Sequence, residues 1–347
     1  MPLTVIVGGQ YGSEGKGKVA HCLATERKAA IAVRTGGPNA GHTVIEPPDR
    51  PVVLRQLPTA ALIPNVMCAL GPGSYIDADI LLQEITRTGL TADRLMIDPK
   101  AIMITEEDKE EERQSGLRKA IGSTQSGTGA AVVKRIQRKS ALVTATSDDR
   151  LAKFIKPIPP ILRDALIKGA RVILEGTQGF GLSPLHSPTY PYVTSRDTTA
   201  AAFVSEVGLS PLDVDEVVMV LRAFPIRVSG NSGPLPNEID WETLTQESGS
   251  PITLVEHTSV TKTVRRVARF DSGIVRNAIE VNAPTQIALN HLDYLDYLCG
   301  ESESPSPKVI EFVERIEFEI GRRVSYLGFN PSSLMAREHL RRRLRSA

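Results

Sequence analysis

Gly8-Gly9-Gln10-Tyr11-Gly12-Ser13-Glu14-Gly15-Lys16-Gly17-Lys18 follows the apolar run 3–7 and leads into Val19-Ala20-His21-Cys22-Leu23-Ala24. Strand, glycine-rich turn, lysine, then helix is a layout that holds phosphate. Glycines let backbone N–H groups approach an anion, the helix N-terminus contributes partial positive charge, and a lysine contributes a full one. The loop departs from the standard phosphate loop. Counting back from Gly15-Lys16 puts Gln10 at the first glycine position, and Gly17 stands where Ser or Thr would meet magnesium. Nor is it a dinucleotide fingerprint, because two lysines occupy the positions where that motif packs its helix on a strand.

Outward from this loop, the pattern repeats. The apolar run 29–33 precedes Arg34-Thr35-Gly36-Gly37-Pro38-Asn39-Ala40-Gly41-His42-Thr43, and 66–70 ends in Gly71-Pro72-Gly73. Val172-Ile173-Leu174 precedes Glu175-Gly176-Thr177-Gln178-Gly179, while 216–221 and 286–289 read as two more buried strands. Residues 77–88 have the spacing of an amphipathic helix. Strands that end in glycine loops and alternate with helices predict an α/β fold. Its central sheet is mostly parallel, helices flank it, and ligands sit at the strand carboxyl ends, in a single domain over 1–347. The charge run 106–113 reads as a solvated helix face. Lys156-Pro157-Ile158-Pro159-Pro160 reads as a break between helices and a local linker. The basic tail 337–345 reads as a helix end. No internal repeat is visible.

Composition narrows the function. A chain of 347 residues buries a large core. Its formal net charge of +1 gives no global field toward nucleic acid or a membrane surface. Aromatics make up 5% and are not interleaved with a basic stretch, which argues against a single-strand-binding surface. No apolar run reaches the length that spans a bilayer, and 3–7 is too short for a signal peptide. Cys22, Cys68 and Cys299 are odd in number and far apart, with neither a disulfide framework nor zinc-ligand spacing. A reducing, cytoplasmic setting is expected.

The loops carry the chemistry. His42 lies on a loop with an amide and free backbone groups, one strand after the phosphate loop; it titrates near neutrality and can donate to a developing oxyanion. Ile121-Gly122-Ser123-Thr124-Gln125-Ser126-Gly127-Thr128-Gly129 is rich in hydroxyls and glycine and suits phosphate. The 175–179 loop offers an amide, and Thr189-Tyr190-Pro191-Tyr192-Val193-Thr194-Ser195 puts hydroxyls after a rigid turn.

Taken together, segments 12–18, 39–43, 122–129, 175–179, 189–195 and Asn290-His291-Leu292-Asp293 resemble adenylosuccinate synthetase. They cover most of the chain in the family's order, and the length resembles the short archaeal-type form. The resemblance implies the family's P-loop-NTPase-like fold and its reaction. In that reaction the γ-phosphoryl group of GTP moves to O6 of IMP, and the amine of L-aspartate then displaces the phosphate at C6. The resemblance places Lys16 on the transferring phosphoryl group and His42 on the O6 oxyanion as general acid. It places Mg²⁺ on the Gly41 carbonyl and on residue 13. It assigns the triphosphate to Gly12, Ser13, Glu14, Gly15, Lys16, Gly17, Gly41, His42, Thr43, Asn290, Leu292 and Asp293, with Gly328, Phe329 and Asn330 as a second base-contacting loop. The purine monophosphate falls to Ser13, Asn39, Ser123, Thr124, Gln125, Gln178 and Thr194. Arg138 matches an arginine that reaches the nucleotide of a neighbouring subunit, which implies a homodimer. L-Aspartate falls to Thr261, Arg265 and Arg266, where paired guanidinium donors suit carboxylate geometry.

Three departures redirect the expectation. The family has an aspartate, its general base at purine N1 and a Mg²⁺ ligand, where this chain has Ser13. An aspartate there crowds the 2-amino group of guanine; a serine leaves room and can accept from it. Ser13 in this motif resembles the phage branch of the family, the 2-amino-2′-deoxyadenylosuccinate synthases, which add aspartate to dGMP on the route to diaminopurine deoxynucleotide. Thr263 replaces the arginine that meets the nucleotide ribose. His291 replaces the lysine that packs on the triphosphate base, while Asp293 is kept. The expected reaction is dGMP, L-aspartate and ATP giving 2-amino-2′-deoxyadenylosuccinate, ADP and phosphate. The alternatives are an ordinary synthetase using IMP and GTP, and a catalytically silent nucleotide-binding protein. Asn330 is expected to read an adenine edge through its donor–acceptor amide.

Overall fold

The computed structural model describes residues 2–46, 49–140, 142–258 and 262–338. Thr261, expected at the aspartate site, and 339–345 of the basic tail lie outside the described residues. Nine strands among these residues form the central sheet. In spatial order they are Met335–Ala336, Tyr326–Leu327, Gln286–Asn290, Val214–Arg222, β1 (Leu3–Gly8), Val172–Glu175, β2 (Ile31–Arg34), Met67–Leu70 and Leu95–Ile97. Every pairing is parallel except that of Tyr326–Leu327 with Met335–Ala336 at one edge.

Both faces of the sheet are covered, which is why its strands read as continuous apolar runs. Alternation along β1 distributes its side chains. Leu3, Val5 and Val7 join the larger core, with helices Ile158–Ile167, Ala200–Glu206, Ser272–Asn282 and Pro307–Ile320. Ile6 points the other way, into a cluster with Val19, Ala20, Leu23 and Ala24 of α1 (Lys16–Glu26). Helix Ala78–Thr88 starts on an Asp77 cap and buries Ala78, Leu81 and Glu84.

Two sequence readings change. The charge run forms helix Glu106–Gln114, yet two of its carboxylates are buried. Glu112 accepts from the Gly127 and Gly129 N–H groups at 2.8 and 2.5 Å, holding the start of helix Thr128–Ile136. Asp108 closes a capping box with Thr105 and pairs with Lys134 at 2.6 Å. The proline-rich stretch is the first turn of helix Ile158–Ile167 rather than a linker. Proline is suited to that turn, where its missing N–H has no helical partner.

Parallel strands bring their carboxyl ends to one edge. Gly8, Arg34, Glu175, Arg222 and Asn290 are strand-terminal residues there, and the loops that follow them converge.

Candidate active site

The converging loops enclose a cleft of about 570 Å³. Its phosphate end is built on the glycine loop. Gly15 caps α1 in the left-handed region at φ 90°, and no side chain caps the helix. The first N–H groups of α1 are thus left for an anion. Glu14 is fully buried, and its carboxylate accepts from the Gln10 and Gly12 N–H groups at 3.1 and 2.8 Å. Its other oxygen holds the Lys16 ammonium at 2.7 Å. Lys16 thus waits at the cleft on an internal carboxylate. Gly17 is required by packing, since a Cβ there would lie 2.8 Å from that of His42.

His42 opens β3 (His42–Glu46) and is buried. Its Nδ1 bonds to Glu175, at the end of strand Val172–Glu175. The second Glu175 oxygen accepts from the Thr59 N–H at 2.8 Å, and the Thr59 hydroxyl lies between it and the Gly17 carbonyl. Arg34 is buried 3.9 Å from Glu175 and donates to the Ala40, Leu54 and Leu57 carbonyls, fixing the loop that carries His42. Burial, and next the Arg34 charge, push His42 down to about 4, against the pull of Glu175. Burial works to raise Glu175, but the bond to His42 and the Arg34 charge keep it low and ionised. In the free chain the imidazole is neutral.

The middle of the cleft is lined by Ser13, Asn39, Ser123, Thr124 and Gln178. Ser13 is exposed and sits in the left-handed region at φ 56°. Its carbonyl accepts from the fully buried Arg222 at 3.0 Å. Arg222 in turn pairs with Glu256. Burial opposes ionisation of Glu256, yet the Arg222 guanidinium, with Arg265 beyond it, holds it at about 2. Asn39 and Gln178 also line a small adjoining recess, where they meet Thr194, Thr128 and Thr198; Thr194 borders this recess and not the main cleft. Gln125 lines neither space. Arg138 is exposed beyond helix Thr128–Ile136 and does not border the cleft of its own chain.

At the far end, Arg265 borders the cleft 3.9 Å from Glu256. Arg266 does not join it. Its guanidinium is bidentate on Glu238 at 2.8 and 2.5 Å and donates to the Gly233 carbonyl. The other corner holds Lys18, His291, Asp293, Asn330 and Pro331. Asn290 donates to the Glu14 carbonyl at 2.8 Å and is itself buried. Leu292 and Phe329 are core side chains. The Asn330 amide is committed internally, its nitrogen to the Gly300 carbonyl and Glu303, its oxygen to the Ser332 and Ser333 N–H groups. It has no free edge for a base. Sequence reasoning did not single out Lys18, Arg34, Thr59, Arg222 or Glu256. Lys18 was visible as the second lysine of the loop, whereas the other four are joined to the site through the fold.

A parallel sheet with a lysine-bearing glycine loop, a buried histidine–carboxylate pair and a common cleft defines a nucleotide-binding α/β enzyme. The adenylosuccinate synthetase family model matches residues 5–150 and 144–300. The adenylosuccinate synthetase of Methanocaldococcus jannaschii is 38% identical over 335 residues, 94% of each chain. That of Archaeoglobus fulgidus is 36% identical, over 95% of this chain and 96% of the relative. The cyanophage S-2L succinoaminodeoxyadenylate synthetase (PurZ), solved bound to dGMP and dATP as an energy donor, superimposes with a TM-score of 0.81. It is 30% identical and covers 99% of both chains. The fully ligated adenylosuccinate synthetase of Plasmodium falciparum shares the fold, with a TM-score of 0.85 at 20% identity over 97% of this chain and all of that one. The chain belongs to the adenylosuccinate synthetase family. It is a C–N bond-forming ligase that joins aspartate to a purine nucleotide. No helix among the described residues is long and apolar enough to cross a membrane.

Proposed function

We propose that the purine is guanine: the enzyme converts dGMP, L-aspartate and ATP into 2-amino-2′-deoxyadenylosuccinate, ADP and phosphate. One observation carries this reading. The glycine loop presents Ser13 to the cleft, while its acidic residue, Glu14, is turned inward onto Lys16. Among the described residues, the carboxylates bordering the cleft are Glu256 and Asp293, both from other loops. A purine at Ser13 meets a small hydroxyl, which leaves room for a 2-amino group and can accept from it. The likeness to the cyanophage synthetase supports the reading. The second reading, an ordinary synthetase using IMP and GTP, is favoured by the 36–38% identity to the archaeal enzymes.

In this mechanism Lys16 exchanges Glu14 for the γ-phosphoryl group as the triphosphate enters. Glu175 occupies Nδ1 of His42, so the proton that makes it an imidazolium is carried on Nε2, the atom left for O6 of the purine. Negative charge from the incoming phosphates raises the affinity of His42 for that proton. The bond from the γ-phosphorus to ADP breaks, the bond to O6 forms, and the N1 proton passes to water in the cleft. The aspartate amine then attacks C6, and phosphate leaves with O6. Arg265 holds a substrate carboxylate. Mg²⁺ fits the donor set. A hard cation held chiefly by phosphates and water needs only one or two protein oxygens, and the Ser13 hydroxyl and Gly41 carbonyl would provide them. When bound it neutralises charge on the phosphates. The enzyme acts as a homodimer in which Arg138 reaches the partner's nucleotide.

The product decides. Incubation with aspartate, Mg²⁺ and each pairing of dGMP or IMP with ATP or GTP, followed by mass analysis, yields 2-amino-2′-deoxyadenylosuccinate from dGMP. Product from IMP alone rejects the reading.

A further inference from the structure

The corner of the cleft around Asp293 has chemistry that the bare choice of ATP leaves unexplained. Asp293 lies in the turn Leu292–Tyr294 that follows strand Gln286–Asn290. Its back is pressed against the chain at Gly300, where an added Cβ would lie 3.1 Å from that of Asp293. Its carboxyl borders the cleft and takes no ion pair or hydrogen bond from another described residue. The adjacent cation, Lys18 on α1, donates instead to the Asn330 carbonyl at 2.8 Å. The Asn330 amide is fully engaged, which leaves the Asp293 carboxyl, beside the His291 imidazole whose Nδ1 also takes no partner among the described residues, to meet a base edge.

We propose that Asp293 reads the base of the phosphoryl donor through its own protonation state, as a carboxylic acid for adenine and as a carboxylate for guanine. This rests on the reading above that this corner takes the base of the triphosphate. The hydrogen-bonding logic is complementary. Adenine presents an acceptor at N1 beside a donor at N6, which matches O–H and C=O of an acid. Guanine presents donors at N1 and N2, which match the two oxygens of a carboxylate.

The surroundings place the switch in an accessible range. Burial raises Asp293 to about 6, against the pull of Lys18 and Arg222 and with the push of Glu256. Lys18 is itself lowered to about 8, by burial, with Cys22 beside it on α1. His291 is held neutral, burial first and Arg222 next. Burial likewise keeps the Tyr294 phenol protonated. The sign follows. Adenine needs the proton, so ATP affinity is lost as pH rises through the Asp293 titration. Guanine needs it gone, so GTP affinity is lost as pH falls through the same range.

Calorimetric binding of ATP and of GTP to the full chain with Mg²⁺, at pH 6 to 8.5 and without monophosphate, tests this independently of which purine is aminated. The ratio Kd(GTP)/Kd(ATP) is expected to fall about tenfold for each pH unit gained. ATP binding is also expected to take up more protons than GTP binding; protonation of the triphosphate itself cancels in that difference. Asp293→Asn, which presents a fixed donor and acceptor, is expected to keep ATP affinity and make the ratio independent of pH. A wild-type ratio that is flat with pH overturns the proposal. If the ratio is flat and Asp293→Asn still alters both affinities, the corner holds the base and only the protonation rule fails. If Asp293→Asn leaves both affinities unchanged, the placement of the base fails with it.

Discussion

The two ends of the cleft are built differently. At the phosphate end the described charged groups have buried partners, Lys16 on Glu14 and Arg34 on Glu175, which also holds the neutral His42 and the Thr59 hydroxyl. At the far end Arg265 lies 3.9 Å from Glu256 and Asp293 faces the cleft without a partner among the described residues, while the described residues around Arg265 at 262–264 are exposed. The difference follows the chemistry. Phosphoryl transfer is the same for any purine and gains from fixed charge. Recognition of a carboxylate, a base and a 2-amino group depends on groups left free to meet a ligand. The phosphate end therefore keeps the reaction, while Ser13 in the middle of the cleft and the groups at the far end set the substrates.

The comparison breaks most readily at Lys16. Lys16→Ala is expected to lower kcat about a thousandfold, the scale for losing a preorganised charge donor. It also leaves Glu14 buried without its cation. Rates near wild type, measured by ADP release, would show that the phosphate end does not depend on this charge. Next comes the histidine pair. His42→Asn is expected to cost about 10²–10⁴ in kcat. Glu175→Gln keeps the shape but loses the anion, and is expected to cost about a hundredfold in kcat with nucleotide KM little changed. Because burial holds His42 near 4 in the free chain, kcat/KM is expected to show no inflection near pH 6.5 from this residue. A limb there that disappears in His42→Asn would contradict the assignment.

At the far end, Arg265→Lys is expected to raise KM for aspartate about tenfold, because one ammonium cannot reproduce a bidentate fork. Arg266→Lys is expected to change it less than about threefold, since its fork is already on Glu238. Equal effects would restore a paired clamp. Behind the loop that lines the middle of the cleft, Glu112→Gln is expected to cost about 2 kcal/mol of stability by weakening charge-assisted bonds at a helix start. Denaturant titration measures it, with activity retained in the folded protein.

Much of the phosphate end was legible because it is local. A strand, its glycine loop and the next helix are contiguous, so residues 3–18 disclose both fold and chemistry. The pairings were not legible. Glu175 meets His42 across 133 residues, and Arg222 reaches the Ser13 carbonyl across 209, through neighbouring strand ends that only the sheet order brings together. Residue type misled where burial depends on the fold. The run 106–113 looked solvated, yet Glu112 is 5% exposed under a helix start. Phe329 and Asn330 looked like base contacts, yet one is in the core and the other has its amide satisfied within its own loop.

The central claim is that a serine in the glycine loop admits the 2-amino purine. Its most direct test is kcat/KM for dGMP and for IMP, at saturating aspartate and ATP, in wild type and in Ser13→Asp. The account predicts that dGMP is preferred by wild type and that Ser13→Asp shifts the ratio toward IMP. A wild-type preference for IMP, or a ratio unmoved by Ser13→Asp, would contradict it.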